Sequence, residues 1–203
     1  MNKEEIDQII MNVPESGQGE GRESPTKKFK RDLIEFFEPL HLHRCVEVSS
    51  LKGQTTYILS HIFDEVYFVE QPGLLQHHWE IAKNGILKDR NNVIPIALDA
   101  YKDPWSFKDV DVFFIDCGHV FSCACQDIDN VKKILKPNGY IIFHDWGLPL
   151  CGEKGVQRAI KYKQLPILKF IGERILFNEE DVFQFTFTDY ADFEGVIVQL
   201  KGE

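Results

Sequence analysis

The stretch of residues 44–56 constrains the fold most, because a strand, a turn of small residues and a helix follow one another there without a gap. The apolar run of residues 45–48 predicts a buried strand. Ser49 and Gly53 lie in the turn, and apolar residues return at helical spacing over residues 54–63. Such a unit directs free backbone N–H groups and a helix N-terminus at a bound ligand. We therefore expect an α/β sheet with a ligand site at this turn.

Glu47, at the end of this strand, restricts the kind of ligand. A carboxylate would repel a phosphate there, whereas it could receive the amino or sulfonium end of a zwitterionic cofactor. Glu47, Ser49 and Gly53 resemble the first motif, Glu-x-Gly-x-x-x-Gly, of class I S-adenosylmethionine-dependent methyltransferases, with Ser49 where the family usually has glycine. The resemblance implies that these three residues face the methionine part of S-adenosylmethionine.

The rest of the chain continues to alternate between the two periodicities. Apolar runs predict further strands at residues 65–70, 92–98, 110–116 and 139–143, and helical spacing separates them. After Pro166 three segments with β propensity follow, at residues 167–171, 182–187 and 195–200, as candidates for two remaining strands. The resulting prediction is a Rossmann-like class I methyltransferase fold: a seven-stranded, mostly parallel sheet with helices on both faces and an antiparallel last strand.

Acidic residues follow the second and third predicted strands. Ligand groups gather at the carboxyl ends of parallel strands, and a carboxylate there can accept both hydroxyls of a ribose. Glu70 is therefore the predicted ribose ligand. The family resemblance implies that Asp99 and Ala100, which follow the third strand, contact the adenine ring and its amino group.

The resemblance becomes more specific around the fourth and fifth strands. Ile-Asp-x-x-His at residues 115–119, Leu-Lys-Pro-x-Gly at 135–139 and Phe-His-Asp-Trp at 143–146 resemble the small O-methyltransferases related to the macrolide-sugar methyltransferases. In those enzymes acidic residues at these positions bind magnesium. The resemblance thus implies Asp116 and Asp145 as ligands of Mg²⁺, with Asp116 also close to the cofactor, while His144 stands where some relatives have a second acid.

Two ways of removing the acceptor's proton stay open. A cation held by Asp116 and Asp145 would lower the pKa of an acceptor hydroxyl. Alternatively His119 or His144 acts unaided as the base, since imidazole titrates near neutral pH. We expect O-methylation of a small hydroxylated molecule, and the alternative is a methyltransferase-like binding module that has lost catalysis.

Length and composition bound the remaining expectations. A chain of 203 residues suits one domain, and residues 1–26, with a Gly, Ser and Pro-rich stretch, are expected to be a flexible arm or lid ahead of a methyltransferase domain at 27–203. A net charge of −9 argues against a nucleic-acid partner, and no apolar run is long enough for a membrane span. Five cysteines, an odd number, suit a reducing compartment, so a cytoplasmic protein is expected.

Overall fold

The structure, a computed structural model, describes residues 1–13, 25–148, 154–177 and 190–201. Seven strands form one sheet in the order β3-β2-β1-β4-β5-β7-β6. Their bounds are Arg44–Val48 (β1), Glu65–Glu70 (β2), Val93–Ala97 (β3), Val110–Ile115 (β4), Leu135–His144 (β5), Ile167–Phe177 (β6) and Tyr190–Gln199 (β7). Only β7 runs antiparallel to its neighbours β5 and β6. The predicted fold class is confirmed.

Six α-helices surround the sheet in the described residues. They span Lys3–Met11 (α1), Lys27–Phe37 (α2), Gln54–Ile62 (α3), Pro72–Asn84 (α4), Phe121–Lys132 (α5) and Gly155–Tyr162 (α6), and α2 runs into a short 3₁₀ turn. Helices α2, α3 and α4 pack on one face of the sheet, and α5 and α6 pack on the other. Strand β4 serves both cores, because Val112 and Phe114 belong to the first and Phe113 and Ile115 to the second.

The strand order reverses between β1 and β4, which lie side by side in the middle of the sheet. The chain leaves β1 toward β2 and β3 on one side, and it continues through β4 and β5 on the other. In open α/β sheets the crevice at such a switch point, beyond the carboxyl ends of the strands, is where ligands bind. The expected ligand and catalytic residues of the five parallel strands β1 to β5 therefore lie at one edge of the sheet.

The first residues differ from the expected arm. Residues 3–11 form helix α1, whose N-terminus is closed by a capping box between Asn2 and Glu5. Ile6, Ile9 and Ile10 are buried against Ile34 and Ile58 of α2 and α3. The isoleucine spacing was a helix signal that the linker composition of the following residues obscured. Residues 14–24 lie outside the described part of the chain.

The β-rich tail resolves the choice among its candidates only in part. Residues 167–171 begin β6 and residues 195–199 end β7, while the candidate at 182–187 lies outside the described residues. In the parts of the chain that the structure describes, every helix is too short or too polar to cross a membrane.

Candidate active site

The turn after β1 holds its shape through left-handed backbone conformations. Ser49 has φ 72°, Leu51 has φ 45° and Gly53 has φ 78°. A Cβ on Gly53 would lie 2.9 Å from the Cβ of Ala82 in α4, so glycine is needed there for packing as well as for φ. Ser49 has no such freedom, and an L-residue in this region costs roughly 1–2 kcal/mol. The position at which the family usually has glycine therefore has a left-handed backbone in this chain.

Glu47 is buried beneath this turn. The hydroxyl of Thr56 in α3 donates a hydrogen bond to Glu47 Oε2, and burial raises the pKa of Glu47 to about 8. Glu47, Ser49 and Asp116 line one recess at the carboxyl ends of β1 and β4. A buried carboxyl at the wall of such a recess is suited to receive a positively charged ligand group.

Glu70 closes β2 and is fixed by three donors. The backbone N–H of Gln71 donates to Oε1 at 2.8 Å, and the N–H of Leu51 donates to Oε2 at 3.3 Å. His78 Nδ1 lies 3.0 Å from Oε2. Glu70 ends β2 and His78 lies in the second turn of α4, so local sequence patterns did not reveal this contact.

A second recess opens beside Glu70. Ser49, Ala100, Tyr101 and Cys117 line it together with Glu70, so the two recesses share Ser49. Both recesses lie at the carboxyl ends of β1, β2, β3 and β4, and together we call them the strand-end groove.

Asp99 and Ala100 have different surroundings in the structure. Ala100 lines the groove, but the carboxylate of Asp99 accepts the N–H of Tyr101 at 3.1 Å and pairs with Lys102 at 2.8 Å. The bond from Lys102 lowers the pKa of Asp99. Asp99 therefore stabilises the turn after β3, and its predicted contact with adenine stays a prediction.

Four predicted residues meet beyond β4 and β5. His144 Nδ1 lies 3.2 Å from both Asp116 Oδ1 and Asp145 Oδ1. His119 Nε2 lies 3.1 Å from Asp145 Oδ2 and 3.4 Å from Asp116 Oδ1. We call Asp116, His119, His144 and Asp145 the His–Asp cluster. These four residues lie close together, as the sequence predicted, because each lies at or just beyond the end of β4 or β5, which are adjacent strands.

The cluster balances its own charge. Burial alone would raise the pKa of Asp116, but His144 and His119 outweigh it and hold that pKa well below its usual value. Burial would lower the pKa of both histidines, yet Asp145 and Asp116 raise the pKa of His144 well above normal, and the same carboxylates raise the pKa of His119. Two imidazoles thus serve as the counter-charges of two carboxylates.

The two histidines differ in what their ring nitrogens contact. His144 Nε2 lies 3.5 Å from the buried carboxylate of Glu194 in β7, so His144 faces carboxylates through both nitrogens. Glu194 in turn accepts the backbone N–H of Thr26 at 2.7 Å. His119 Nε2 is buried with no well-aligned hydrogen bond among the described residues. The sequence did not reveal Glu194, because a β-strand pairing joins it to His144 across a long separation.

The cluster also fits a divalent cation. Asp116, His144 and Asp145 each present a ligand atom within 4.8 Å of the others, and the Nε2 of His119 lies 3.1 Å from Asp145 Oδ2. Two carboxylate oxygens with imidazole nitrogen suit Mn²⁺ and related metals, and carboxylates alone suit Mg²⁺. Asp145 has φ 54°, a conformation that Asp and Asn tolerate better than other residues.

Comparison with known proteins agrees with this geometry. The family model described as "Methyltransferase domain" matches residues 46–146. The O-methyltransferase from Bacillus cereus, solved with S-adenosylhomocysteine, has 15% identity and a TM-score of 0.60, and the match covers 98% of this chain and 90% of that one. A Thermotoga maritima S-adenosylmethionine-dependent O-methyltransferase has 15% identity and a TM-score of 0.60, with 98% and 71% covered.

A third structural neighbour has a different role. The fibrillarin of Methanococcus jannaschii, a pre-rRNA processing protein, has 19% identity and a TM-score of 0.56, with 80% of this chain and 68% of that one covered. No curated protein matches the sequence significantly. At these identities the neighbours show a common fold, and the family model adds the domain type. This chain therefore contains a methyltransferase domain over residues 46–146 and has the fold of the S-adenosylmethionine-dependent methyltransferases.

Proposed function

We propose that this chain binds S-adenosylmethionine in the strand-end groove and methylates a hydroxyl group of a small molecule at the His–Asp cluster. One observation supports this most strongly. Asp116 lines the same recess as Glu47 and Ser49, and it also lies within 3.4 Å of the two histidines of the cluster. A cofactor with its methionine part over Glu47 would therefore end beside the groups that can activate an acceptor.

The carboxylates along the groove support one orientation of the cofactor. Glu47, whose burial raises its pKa to about 8, would receive the amino end. Glu70, already fixed by two backbone N–H groups, would accept the ribose hydroxyls. Ala100 then faces the adenine end. Ser49 lies where the two recesses join, so its backbone would run close to the centre of the cofactor.

S-adenosylmethionine supplies an electrophilic methyl group for an in-line displacement by the acceptor oxygen. As the O–C bond forms, the S–C bond breaks and the acceptor must lose its proton. His119 is the better base of the two histidines, because the carboxylates of the cluster face it through Nε2, whereas His144 faces carboxylates through both nitrogens. The carboxylates of Asp116 and Asp145 would stabilise the imidazolium that forms.

Asp116 and Asp145, with His144 beside them, would hold a divalent cation such as Mg²⁺ or Mn²⁺. A bound cation would lower the pKa of the acceptor hydroxyl and orient its oxygen. With the acceptor oxygen held beside these residues, His119 would receive its proton.

A small acceptor fits the charge of the chain better than a nucleic acid does. Net charge is −9, and a groove edged by Glu47, Glu70 and Asp116 would repel a phosphate backbone. Because the fibrillarin neighbour is a pre-rRNA processing protein, RNA is the alternative acceptor to include in an acceptor test. We retain a cytoplasmic location as our expectation, because the odd cysteine count suits a reducing compartment.

Calorimetric titration with S-adenosylhomocysteine tests the cofactor assignment. Wild-type protein should bind it, and Glu47→Gln should bind more weakly, because the amide keeps the shape and removes the charge that pairs with the amino end. Methyl-labelled S-adenosylmethionine offered with pooled hydroxylated small molecules, and separately with RNA, then tests the reaction. Labelled RNA without any labelled small molecule would contradict the proposed acceptor class.

The competing function is a binding module without catalysis. The left-handed Ser49, in place of the family's glycine, is the observation that favours it. That module would bind S-adenosylhomocysteine in the titration and transfer no label to any acceptor.

A further inference from the structure

A polar trio lies at the end of the strand-end groove and has no part in the proposed reaction. The hydroxyl of Tyr101 lies 3.4 Å from Asp127 Oδ2 and 3.4 Å from Cys117 Sγ, and Cys117 Sγ lies 3.8 Å from the same oxygen. Asp127, in α5, is fully buried, and its Oδ1 has no hydrogen-bond partner among the described residues. A buried carboxyl with so few donors is costly and calls for a reason.

The backbone is shaped to seat the phenol of Tyr101. Gly118 has φ 49°, and a Cβ at that position would lie 1.8 Å from the Tyr101 hydroxyl oxygen. Any side chain at residue 118 would displace the phenol. The position of this hydroxyl is therefore built by two elements, the loop after β4 and helix α5.

Tyr101 and Cys117 line the same recess as Glu70 and Ala100, whereas Asp127 lies behind them. If Glu70 accepts the ribose, the group attached to the ribose meets this end of the groove. The inference rests on the proposed function to that extent.

We propose that Tyr101 determines specificity for the nucleobase of the cofactor: its hydroxyl, oriented by Asp127, accepts a hydrogen bond from the exocyclic amino group of adenine. Tyr101 would touch the cofactor, and Asp127 would act through it as a positioning residue.

The hydrogen-bond inventory gives the reason for selectivity. A phenol donates one hydrogen bond and can accept another through its oxygen. When the Tyr101 hydroxyl donates to Asp127, its oxygen is left to accept. An amino group on the base matches that acceptor. An oxo group does not match that acceptor. It would either place two acceptor oxygens against each other or take the hydrogen bond of the phenol away from a buried carboxylate.

The electrostatic surroundings are consistent with this arrangement. Burial, with Cys117 and Asp127 nearby, raises the pKa of Tyr101, so the phenol keeps its proton. Burial raises the pKa of Asp127 to about 7, so above that pH the carboxylate accepts.

The test compares S-adenosylhomocysteine with S-inosylhomocysteine, in which an oxo group replaces the amino group, by calorimetry at pH 8. Wild-type protein should bind the adenosyl compound at least about tenfold more tightly, as expected for one hydrogen bond gained and one mismatch avoided. Tyr101→Phe should reduce that ratio to about threefold or less, because it keeps the ring and removes the hydroxyl.

Two further variants separate orientation from folding. Asp127→Ala should also reduce the ratio, since the phenol proton becomes free to turn toward an oxo group. Asp127→Asn should keep it, because the amide oxygen still accepts the proton. Tyr162→Phe, at an exposed tyrosine, is the matched control and should keep the wild-type ratio.

The outcomes distinguish the two proposals. A wild-type ratio in Tyr101→Phe, with both compounds still bound, overturns the role of Tyr101 and leaves the cofactor site intact. Failure of wild-type protein to bind S-adenosylhomocysteine removes the cofactor site and, with it, both proposals.

Discussion

Buried carboxyl groups in two parts of the candidate active site have pKa values shifted in opposite directions. We call the strand-end groove, with Asp127 behind it, the cofactor side, and the His–Asp cluster the acceptor side. On the cofactor side burial raises the pKa of Glu47 to about 8 and that of Asp127 to about 7. On the acceptor side Asp116 is also desolvated, yet His144 and His119 hold its pKa well below the usual value. The difference is the counter-charge and not the degree of burial. The acceptor side therefore supplies its own counter-charges, whereas Glu47 on the cofactor side would gain one from the amino group of the ligand.

The largest expected effect concerns Asp127 and the pH dependence of stability. Its pKa is about 7 in the folded protein against an ordinary 3.8, so between these values the folded chain binds a proton that the unfolded chain does not. The contribution is therefore fully present below about pH 4 and is lost as pH rises to about 7. The change in unfolding free energy should be on the order of 2–4 kcal/mol.

Urea unfolding of wild-type protein and Asp127→Asn at pH 5, 6, 7 and 8 measures this contribution. Asparagine does not titrate, so the stability difference between the two proteins should shift in favour of the variant as pH rises. A difference that is constant with pH would show that Asp127 is paired in the folded protein, and the contrast between the two sides would fail.

Asp145→Asn tests the acceptor side. Asn tolerates the left-handed backbone at this position, so the change removes charge without disturbing the loop. Affinity for Mn²⁺, followed by electron paramagnetic resonance, should fall by at least about 100-fold, because a ligand matters at least as much as the groups that support ligands. Affinity for S-adenosylhomocysteine should change by less than about threefold.

The control for this variant is Asp64→Asn, an exposed carboxylate that also lies beside a histidine, His43. It should leave Mn²⁺ binding unchanged. If methyl transfer is measurable, excess Mg²⁺ should partly restore Asp145→Asn. Wild-type Mn²⁺ affinity in Asp145→Asn would remove Asp145 from the metal site.

Glu70→Ala tests the cofactor side. The carboxylate is prepositioned by Gln71 and Leu51 N–H groups, so its loss should remove two ribose contacts and lower the affinity for S-adenosylhomocysteine at least about tenfold. Calorimetry measures this, with Glu80→Ala on the exposed face of α4 as the control. Equal affinities for wild-type and Glu70→Ala would place the ribose elsewhere.

The sequence predicted the two sides unequally. Strand bounds and the residues at strand ends followed from apolar periodicity, which is local, so Glu47, Glu70, Asp116 and Asp145 were all located at the correct edge. Contacts that depend on which face a helix or a distant strand presents were not predictable. His78 and Glu194 show this, since solvated and packed roles give the same pattern in sequence. At Asp99 the strand-end position was right and the side chain pairs with Lys102, while its contact with adenine stays a prediction.

The smallest expected effect, Ser49→Gly, asks whether the departure from the family motif weakens the cofactor side. Ser49 has φ 72° and lines both recesses, so glycine relieves left-handed strain of roughly 1–2 kcal/mol and removes a side chain beside the cofactor. Glycine also raises the entropy of the unfolded chain by about 0.4–1 kcal/mol, so the net gain in unfolding free energy should be only about 0.5 kcal/mol. Affinity for S-adenosylhomocysteine should rise by about twofold to fivefold, since the cofactor can then approach the backbone more closely.

Ser49→Ala separates the causes, because it keeps the Cβ and the strain while removing the hydroxyl, and it should match wild-type protein in both measurements. If both variants bind the cofactor more weakly, the serine hydroxyl is itself a cofactor contact, and the departure from glycine strengthens the site.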